Sequence, residues 1–423
     1  MRGDPTSPQT PTPAPPNATD DASKLRGGFS NFAPPGEANN GIGWGAANYH
    51  PGKVAGDLTD AGDVAIMLLD HLAELKGRGA LASYSFDTYA AHWESRIAGG
   101  YGSCNFMSVG REHRGACPPG LQPGYINGAT RRTLQALGGA PPGSVTGAAR
   151  KALAANVNCL MPATHFLPLF LTLPLEDEAR VVAAAVDTVY LSHNNEDPLA
   201  AAAFLARALL ARVRDGAPLR AALRAAAAAS AHPRIPHWLA QAEAKAAEAA
   251  DPASSLHAEG PGADDKAITS LGRLWDIGKS EPIKVGKASP TEGALPSALY
   301  FALRYENDFE RALIANAECG GDSGARGIVI GMLLGSGAEW VRGGWLRRLP
   351  LISLSSSPPP PPTPMRAPPN ATCSRRCPTP TGGSRASMRC RTCARRCRCW
   401  RAAWRAAAAV AASCEAERLV GRL

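Results

Sequence analysis

Carboxylate and hydroxyl side chains occur at two places where the sequence predicts that a helix begins. Thr59, Asp60 and Asp63 open an amphipathic segment, and Asp322 and Ser323 precede an apolar one. Thr, Ser and Asp are common N-cap residues, and acidic side chains favour the first turn of a helix, so helix capping is one interpretation of both groups. The other interpretation is a cation site, because oxygen ligands of this kind bind hard divalent cations such as Mg²⁺.

The chain around Asp322 has the composition of a sharp turn between two helices. Gly320 and Gly321 can adopt backbone angles that are closed to other residues, so they can end the polar helix predicted over 307–318. The segment after the turn is almost entirely apolar and carries a glycine at every fourth position, which predicts a buried helix. These glycines are Gly327, Gly331 and Gly335. A carboxylate at the mouth of a buried helix loses hydration and needs a partner, most simply a cation.

A glycine-glycine-aspartate turn before a glycine-bearing buried helix resembles the ADP-ribosylglycohydrolase family. The stretches from Pro290 to Leu303 and from Asn307 to Leu313 are similar to the family's approach to this turn, so the resemblance is specific over 290–337. It is strongest with the divergent branch that includes the jellyfish J-crystallins, in which the second half of the turn motif is also altered. The resemblance implies an all-α fold, an orthogonal multi-helix bundle of the ADP-ribosylglycohydrolase type.

The same resemblance implies magnesium ions held between two helix starts. Thr59, Asp60 and Asp322 match ligand positions of the family, and Asp60 and Asp322 are the implied catalytic residues. Asp63 or Asp57 could substitute for a further ligand. Other ligand positions are lost, and they are occupied here by Ala61, Gly324 and Ala325. The implied cofactor is therefore Mg²⁺ in a weak or single site.

Substrate-binding residues are also implied by the resemblance. They are His193, Gly320, Gly321 and Ser323. His193 follows the helix predicted over 176–191, where the family has a Thr-His step, although a histidine at a helix end also serves as a cap or a core partner. The passage Asn156–Pro162 is similar to the family's Gly-Asn-Gly-x-x-Met-Arg segment, with Pro162 in place of the arginine.

Two functions follow from the resemblance, and the sequence leaves open whether the chain is an enzyme. The first is hydrolysis of the glycosidic bond of ADP-ribosylated substrates with a reduced magnesium site. The second is a catalytically inactive role, as an ADP-ribose-binding protein or a crystallin-like structural protein. The loss of ligands favours the second function, and family resemblance favours the first.

Composition predicts one folded domain with two unlike ends. Residues 1–26 are Pro/Thr-rich and are expected to be disordered, and residues 27–350 are expected to form the folded domain. Residues 351–423 form a Pro/Arg/Cys-rich tail that we also expect to be disordered, and its biased amino-acid composition is typical of an error in the gene model. The formal net charge of the chain is +9. The segment from Arg366 onward carries a charge of +11, so the residues before it carry 9 − 11 = −2. The folded part is therefore slightly acidic, and we expect no nucleic-acid partner.

The remaining expectations concern the compartment and one long connection. No signal peptide and no apolar run long enough to span a membrane is visible, so we expect a cytoplasmic monomer with reduced cysteines. Residues 251–290 are polar and rich in Gly and Pro, which predicts a solvated loop that includes Asp264 and Asp265.

Overall fold

The computed structural model describes residue 50 and residues 58–110, 116–258, 261–274 and 283–337. Contacts along the chain divide it into Met1–Val341 and Arg342–Leu423, and every described residue lies in the first unit. The predicted disordered ends and Asp57 lie outside the described residues. The domain bounds 27–350 stay a prediction.

The described residues are mainly helical, which confirms the all-α fold class. The helices are, in chain order, α1 (Asp60–Gly77), α2 (Phe86–Ala98), α3 (Phe106–Val109), α4 (Gly128–Leu137), α5 (Gly147–Ala152), α6 (Glu178–Val189), α7 (Glu196–Val213), α8 (Leu219–Ala228), α9 (Arg234–Ala250), α10 (Pro261–Ser270), α11 (Thr291–Arg304), α12 (Phe309–Cys319) and α13 (Ser323–Gly335). Short 3₁₀ turns lie at Leu81–Ser83, Met161–Thr164 and Leu167–Leu171. Two-residue strands, β1 (Arg273–Leu274) and β2 (Ile283–Lys284), pair antiparallel.

The centre of the described bundle is α11 rather than α13. The side chains of α11 are buried from Thr291 to Leu303, and the helix packs against α9, α13 and α7. The sequence predicted that α13 is buried on all sides. It does bury Val329, Ile330 and Leu333, but a methyl group added at Gly331 would meet nothing within 4 Å. The other two glycines of this face are covered, since a methyl group at Gly327 would meet Asn316 at 3.4 Å and one at Gly335 would meet Phe309 at 3.6 Å, so α13 is open at Gly331 alone among these three glycines.

The prediction of a solvated loop over 251–290 is wrong for the segment that forms α10. Asp264 on this helix is fully buried, and its two carboxylate oxygens accept hydrogen bonds of 2.8 Å from the hydroxyls of Tyr300 and Tyr305. Arg304 adds an ion pair of 3.3 Å to the same carboxylate. These partners come from α11 and the turn after it, so the local polarity of the segment did not reveal them.

The cysteine prediction also needs correction. Cys104 and Cys117 form a disulfide bond, which contradicts the expected reduced state for this pair, whereas Cys159 and Cys319 are free thiols. Within the described ranges, none of the helices combines the length and the hydropathy needed to cross a membrane. The cytoplasmic location and the monomeric state stay predictions.

Candidate functional site

The N-termini of α1 and α13, which carry the predicted ligands, lie close together. Thr59 is the N-cap residue of α1, and Asp322 is the N-cap residue of α13. A methyl group added at Gly324 would lie 3.3 Å from the Thr59 Oγ1 and 3.4 Å from its Cγ2. Because Gly324 has no side chain, the start of α13 can approach the start of α1 closely. Ala61 and Ala325 share a small buried cluster at this junction.

The glycine pair shapes the turn that presents Asp322. Gly320 and Gly321 both have positive φ angles, of 66° and 71°. Gly321 also packs so closely on the segment before α11 that an added side chain would collide with the carbonyl oxygen of Lys287. The Asp322 N–H donates to that same oxygen at 2.8 Å, and the Asp322 carboxylate accepts from the Ala325 N–H at 3.4 Å. Asp322 therefore caps α13 and is fixed in position by its backbone.

Asp60 lies in the first turn of α1 and is half-buried. Burial raises the pKa of Asp60 to about 7, and the negative charge of Asp322 adds to this rise. A hydrogen bond from the Asn127 side chain and one from the Ala61 N–H act in the opposite direction. Burial likewise raises the pKa of Asp322, against the lowering effect of Arg326. The two carboxylates repel each other in a poorly hydrated place, so a shared proton or cation would stabilise them.

The other predicted carboxylate, Asp63, is one turn further along α1 and has a protein partner. The Tyr101 hydroxyl donates to the Asp63 Oδ2 at 2.9 Å. Burial, followed by the charges of Asp63 and Asp60, raises the pKa of Tyr101 well above its usual range, so this hydroxyl stays protonated and remains a donor. The arrangement ties the loop after α2 to α1.

A small cavity of about 10 Å³ lies beside Asp60. Its walls include Tyr101, Asn127, Met161 and His165. That volume holds about one water molecule, so a nucleotide-sized ligand cannot enter the cavity unless its walls move.

Cys159 is the free thiol at this junction. Burial raises the pKa of its thiol well above the usual range, and the negative charges of Asp322 and Asp60 act in the same direction. A neutral thiol therefore faces the carboxylate pair.

His193 is not in the cavity wall. It is 1% exposed, its Nδ1 lies 2.8 Å from the Ser192 hydroxyl, and burial lowers its pKa to about 3. The neutral ring lies near His165, whose pKa burial also lowers to about 3. The structure thus places His193 in the core behind the cavity, which matches the alternative of a core partner. Its predicted substrate contact stays a prediction.

Ser323 and Gly320 belong to the Asp322 turn. The Ser323 carbonyl oxygen accepts a hydrogen bond of 2.9 Å from the Asn316 side-chain amide, and its side chain is half-buried at the start of α13. Gly320 ends α12, and its carbonyl oxygen accepts from Arg326. Both residues lie beside Asp322 as predicted, and their contact with a substrate stays a prediction.

The residues at the junction fit one divalent cation better than two. Asp60 and Asp322 supply two carboxylates whose pKa values burial raises. Among the described residues, the Thr59 hydroxyl makes no capping hydrogen bond to α1, so its oxygen is not engaged as a helix cap. In the part of the chain that the structure describes, Asp60, Asp63 and Asp322 do not form a group whose carboxylate oxygens all lie within 4.8 Å of one another. A tight pair of divalent cations needs more oxygen ligands than this.

Such a close group does occur elsewhere among the described residues, at the start of α7. It consists of Glu196, Asp197 and His232. However, the Arg234 Nη2 lies 2.7 Å from the Glu196 Oε1 and 3.0 Å from the Asp197 Oδ1. The guanidinium already compensates both carboxylates, so we interpret this acidic cluster as an ion-pair network.

Several residues of the junction were missed by the sequence analysis. They are Tyr101, Asn127, Cys159 and Arg326. Asn127 had a local signal, because asparagine is a common N-cap residue and its side chain caps α4, which begins at Gly128. Cys159 lies within Asn156–Pro162, the passage that is similar to a segment of the family. Tyr101 and Arg326 had no signal, because their partners are distant in the chain or are backbone atoms.

Comparison with known proteins finds a protein family whose model matches most of the chain. The family model described as ADP-ribosylglycohydrolase matches residues 18–355. Among solved structures, a chain of an "ADP-ribosylglycohydrolase-related protein complex" is 19% identical, with 78% of this chain and 88% of that chain covered and a TM-score of 0.44. A similarity this low carries no argument about function. No curated protein matches the chain.

Proposed function

Since the chain belongs to the ADP-ribosylglycohydrolase family, we propose that it hydrolyses the glycosidic bond between an ADP-ribosyl group and its acceptor. The observation that carries this proposal is the convergence of Asp60 and Asp322 at two facing helix N-termini. Two carboxylates that repel each other away from water are unfavourable for folding alone, and such a pair is characteristic of a functional site.

The proposed site holds a single Mg²⁺ through Asp60, Asp322 and Thr59. When bound, a hard divalent cation supplies Lewis-acid chemistry and orients hydroxyl groups and water. The chain's own residues have the complementary tasks. The turn at Gly320 and Gly321 presents Asp322, and the Asn127 amide and the Ala61 N–H hold the Asp60 carboxylate in one orientation.

The second candidate is ADP-ribose binding without hydrolysis. It is favoured by the engagement of Asp63 with Tyr101 and by Ala61, Gly324 and Ala325 at positions where the family resemblance implies ligands. Without oxygen ligands at positions 61, 324 and 325, the site would bind a cation and a sugar phosphate but would not activate water for hydrolysis.

The test is titration of the full-length chain with ADP-ribose by calorimetry, with and without Mg²⁺. We expect binding that depends on Mg²⁺ and that is lost in Asp322→Asn, because asparagine keeps the N-cap but removes the charge. The matched control is Asp308→Asn, since Asp308 caps α12 in the same way and is exposed. It should bind as the wild type does.

Turnover distinguishes the two candidates. Release of ADP-ribose from an ADP-ribosylated protein by the wild type, and not by Asp60→Asn, would support hydrolysis. Tight binding with no release would favour the second candidate. No binding by a cooperatively folded chain would exclude both and leave a structural role for the retained fold.

A further inference from the structure

Arg326 is a fully buried arginine in the first turns of α13, and the proposed reaction does not use it. Its guanidinium donates three hydrogen bonds. The Nε donates to the Asn316 Oδ1 at 2.8 Å, the Nη1 donates to the Lys287 carbonyl oxygen at 3.1 Å, and the Nη2 donates to the Gly320 carbonyl oxygen. A buried charge of this kind is costly unless it is fully paired, so the site retains it against a substantial desolvation penalty.

The three acceptors of Arg326 belong to the elements that shape the Asp322 turn. The Gly320 carbonyl begins the turn, and the Lys287 carbonyl also accepts the Asp322 N–H. Asn316, besides receiving the Nε–H, donates its side-chain amide to the Ser323 carbonyl at 2.9 Å. Arg326 therefore joins the end of α12, the segment before α11 and the start of α13 through one planar group.

Arg326 also acts on Asp322 through its charge. The guanidinium lowers the pKa of the Asp322 carboxyl against the effect of burial, and the Asp322 carboxylate in turn favours the charged guanidinium.

We propose that Arg326 is a positioning residue of the cation site: through its three hydrogen bonds it holds the Gly320–Gly321 turn in the form that directs Asp322 toward Asp60. This inference rests on the proposed function, because it concerns the same site. Lysine cannot replace Arg326 in this role, since one ammonium group cannot reach three acceptors that are arranged around a planar fork.

Arg150 provides a matched control within the same fold. It is also fully buried, and it donates from Nε to the Glu94 Oε1 at 2.6 Å, from Nη2 to the Leu191 carbonyl at 2.9 Å and from Nη1 to the Tyr190 carbonyl at 3.5 Å. None of these acceptors belongs to the Asp322 turn. Replacing either arginine by lysine removes a similar set of buried hydrogen bonds, so the two variants separate a loss of stability from a loss of position.

The experiment measures Mn²⁺ binding to the full-length chain by electron spin resonance of the free ion, with Mn²⁺ as a probe of an oxygen-ligand site. We expect one bound ion per wild-type chain. Arg326→Lys should weaken Mn²⁺ affinity at least about tenfold, because the carboxylate is no longer held in position. Arg150→Lys should reduce thermal stability to a similar extent and keep the wild-type Mn²⁺ affinity within about threefold, the scatter expected for a change remote from the site.

A second variant keeps the test informative if Arg326→Lys does not fold. Asn316→Leu retains the guanidinium but removes one acceptor and the hydrogen bond to Ser323, so it should also weaken Mn²⁺ binding. Wild-type Mn²⁺ affinity in a folded Arg326→Lys or Asn316→Leu variant, or equal weakening in Arg150→Lys, would overturn the positioning role and leave the proposed function intact. A wild-type chain that binds no Mn²⁺ would overturn the cation site and this inference together.

Discussion

At the scale of single residues, the site depends on carboxylates that are kept together at a cost to stability. In the native chain the Asp60 pKa is about 7, mainly because of burial and then because of Asp322, whereas an unfolded chain has the ordinary value of 3.8. The native state therefore holds the Asp60 proton over a range in which the unfolded state has lost it. Stability from this carboxyl is greatest below pH 3.8 and falls as the pH rises toward 7.

The first prediction concerns Asp60→Asn in the absence of divalent cations. We expect the variant to exceed the wild type in free energy of unfolding by about 1–3 kcal/mol at pH 8, since it removes a charge that burial and Asp322 disfavour. The difference should shrink as the pH falls to 4. Urea denaturation at several pH values measures it.

Asp308→Asn serves as the control for Asp60→Asn, because Asp308 is an exposed N-cap carboxylate. Its stability should follow that of the wild type at every pH. If Asp60→Asn were less stable than the wild type at pH 8, the repulsion between Asp60 and Asp322 would not be the main effect at this position.

The second prediction compares two glycines of the same region. Gly321→Ala should destabilise the chain by more than about 1 kcal/mol, because φ is positive there and a methyl group would collide with the Lys287 carbonyl oxygen. Gly331→Ala should stabilise it by about 0.5–1 kcal/mol, because this helical position has free space on the described surface and alanine restricts the unfolded chain. Thermal or urea unfolding of both variants measures the opposite signs. An equal loss in both would mean that the added methyl group, and not the turn, determines the effect.

At the scale of elements, the loop between α2 and α4 brings residues to the site. Tyr101 reaches Asp63, and Asn127 reaches Asp60. The two limbs of this loop are joined by the Cys104–Cys117 disulfide, by the hydrogen bond from the Cys104 N–H to the Gln122 carbonyl at 2.8 Å, and by the Gln122 N–H to the Ser103 hydroxyl at 2.9 Å. The loop is therefore held as one unit against α1.

The third prediction is that loss of this disulfide lowers the free energy of unfolding. The bond closes a loop with a sequence separation of 13 residues, for which loop-closure entropy gives up to about 3 kcal/mol. Urea denaturation with and without a phosphine reductant should show the difference. The Cys104→Ser/Cys117→Ser double variant should match the reduced wild type and should not respond to the reductant. A response in the double variant would assign the effect to another group.

The positions of the helices could be predicted from the sequence better than the tertiary contacts between them. The helix from Asp60 and the helix over 176–191 follow from apolar periodicity, and the expectation that Asp60 and Asp322 lie together follows from the glycine-aspartate turn and its family resemblance. In contrast, the polar segment that forms α10 has no local sign that Asp264 will be buried. Its hydroxyl partners, Tyr300 and Tyr305, lie 36 and 41 residues away in the chain.

The same distinction separates the predicted from the unpredicted parts of the site. Thr59, Asp60 and Asp322 carry side-chain oxygens that can bind a cation, and they stand where a helix is predicted to begin. Both properties can be read from a single sequence. Arg326 acts through backbone carbonyls, which every residue possesses, and Tyr101 acts through a contact 38 residues away. The role of such residues depends on tertiary contacts between distant parts of the chain. A single sequence therefore shows the residue type but not the partner that gives the residue its role.

At the scale of the whole molecule, the core contains histidines that must stay neutral. Burial lowers the pKa of His71 to about 4, that of His165 to about 3 and that of His193 to about 3. In the unfolded chain these rings take up a proton near pH 6.5. Their contribution to stability is therefore fully present above pH 6.5 and is lost as the pH falls from 6.5 toward 3.

The fourth prediction is a steep loss of stability in this acidic range. Each pKa unit corresponds to about 1.4 kcal/mol, so lowered pKa values at His165 and His193 make the free energy of unfolding fall steeply below pH 6.5. His193→Gln should flatten the dependence of the free energy of unfolding on pH between 6.5 and 3, because glutamine does not titrate. His257→Gln, at an exposed position, should keep the wild-type slope. If His193→Gln also kept that slope, protonation of the buried core would not be what limits the fold in acid, and the repelling carboxylates and surface ion pairs would have to account for it.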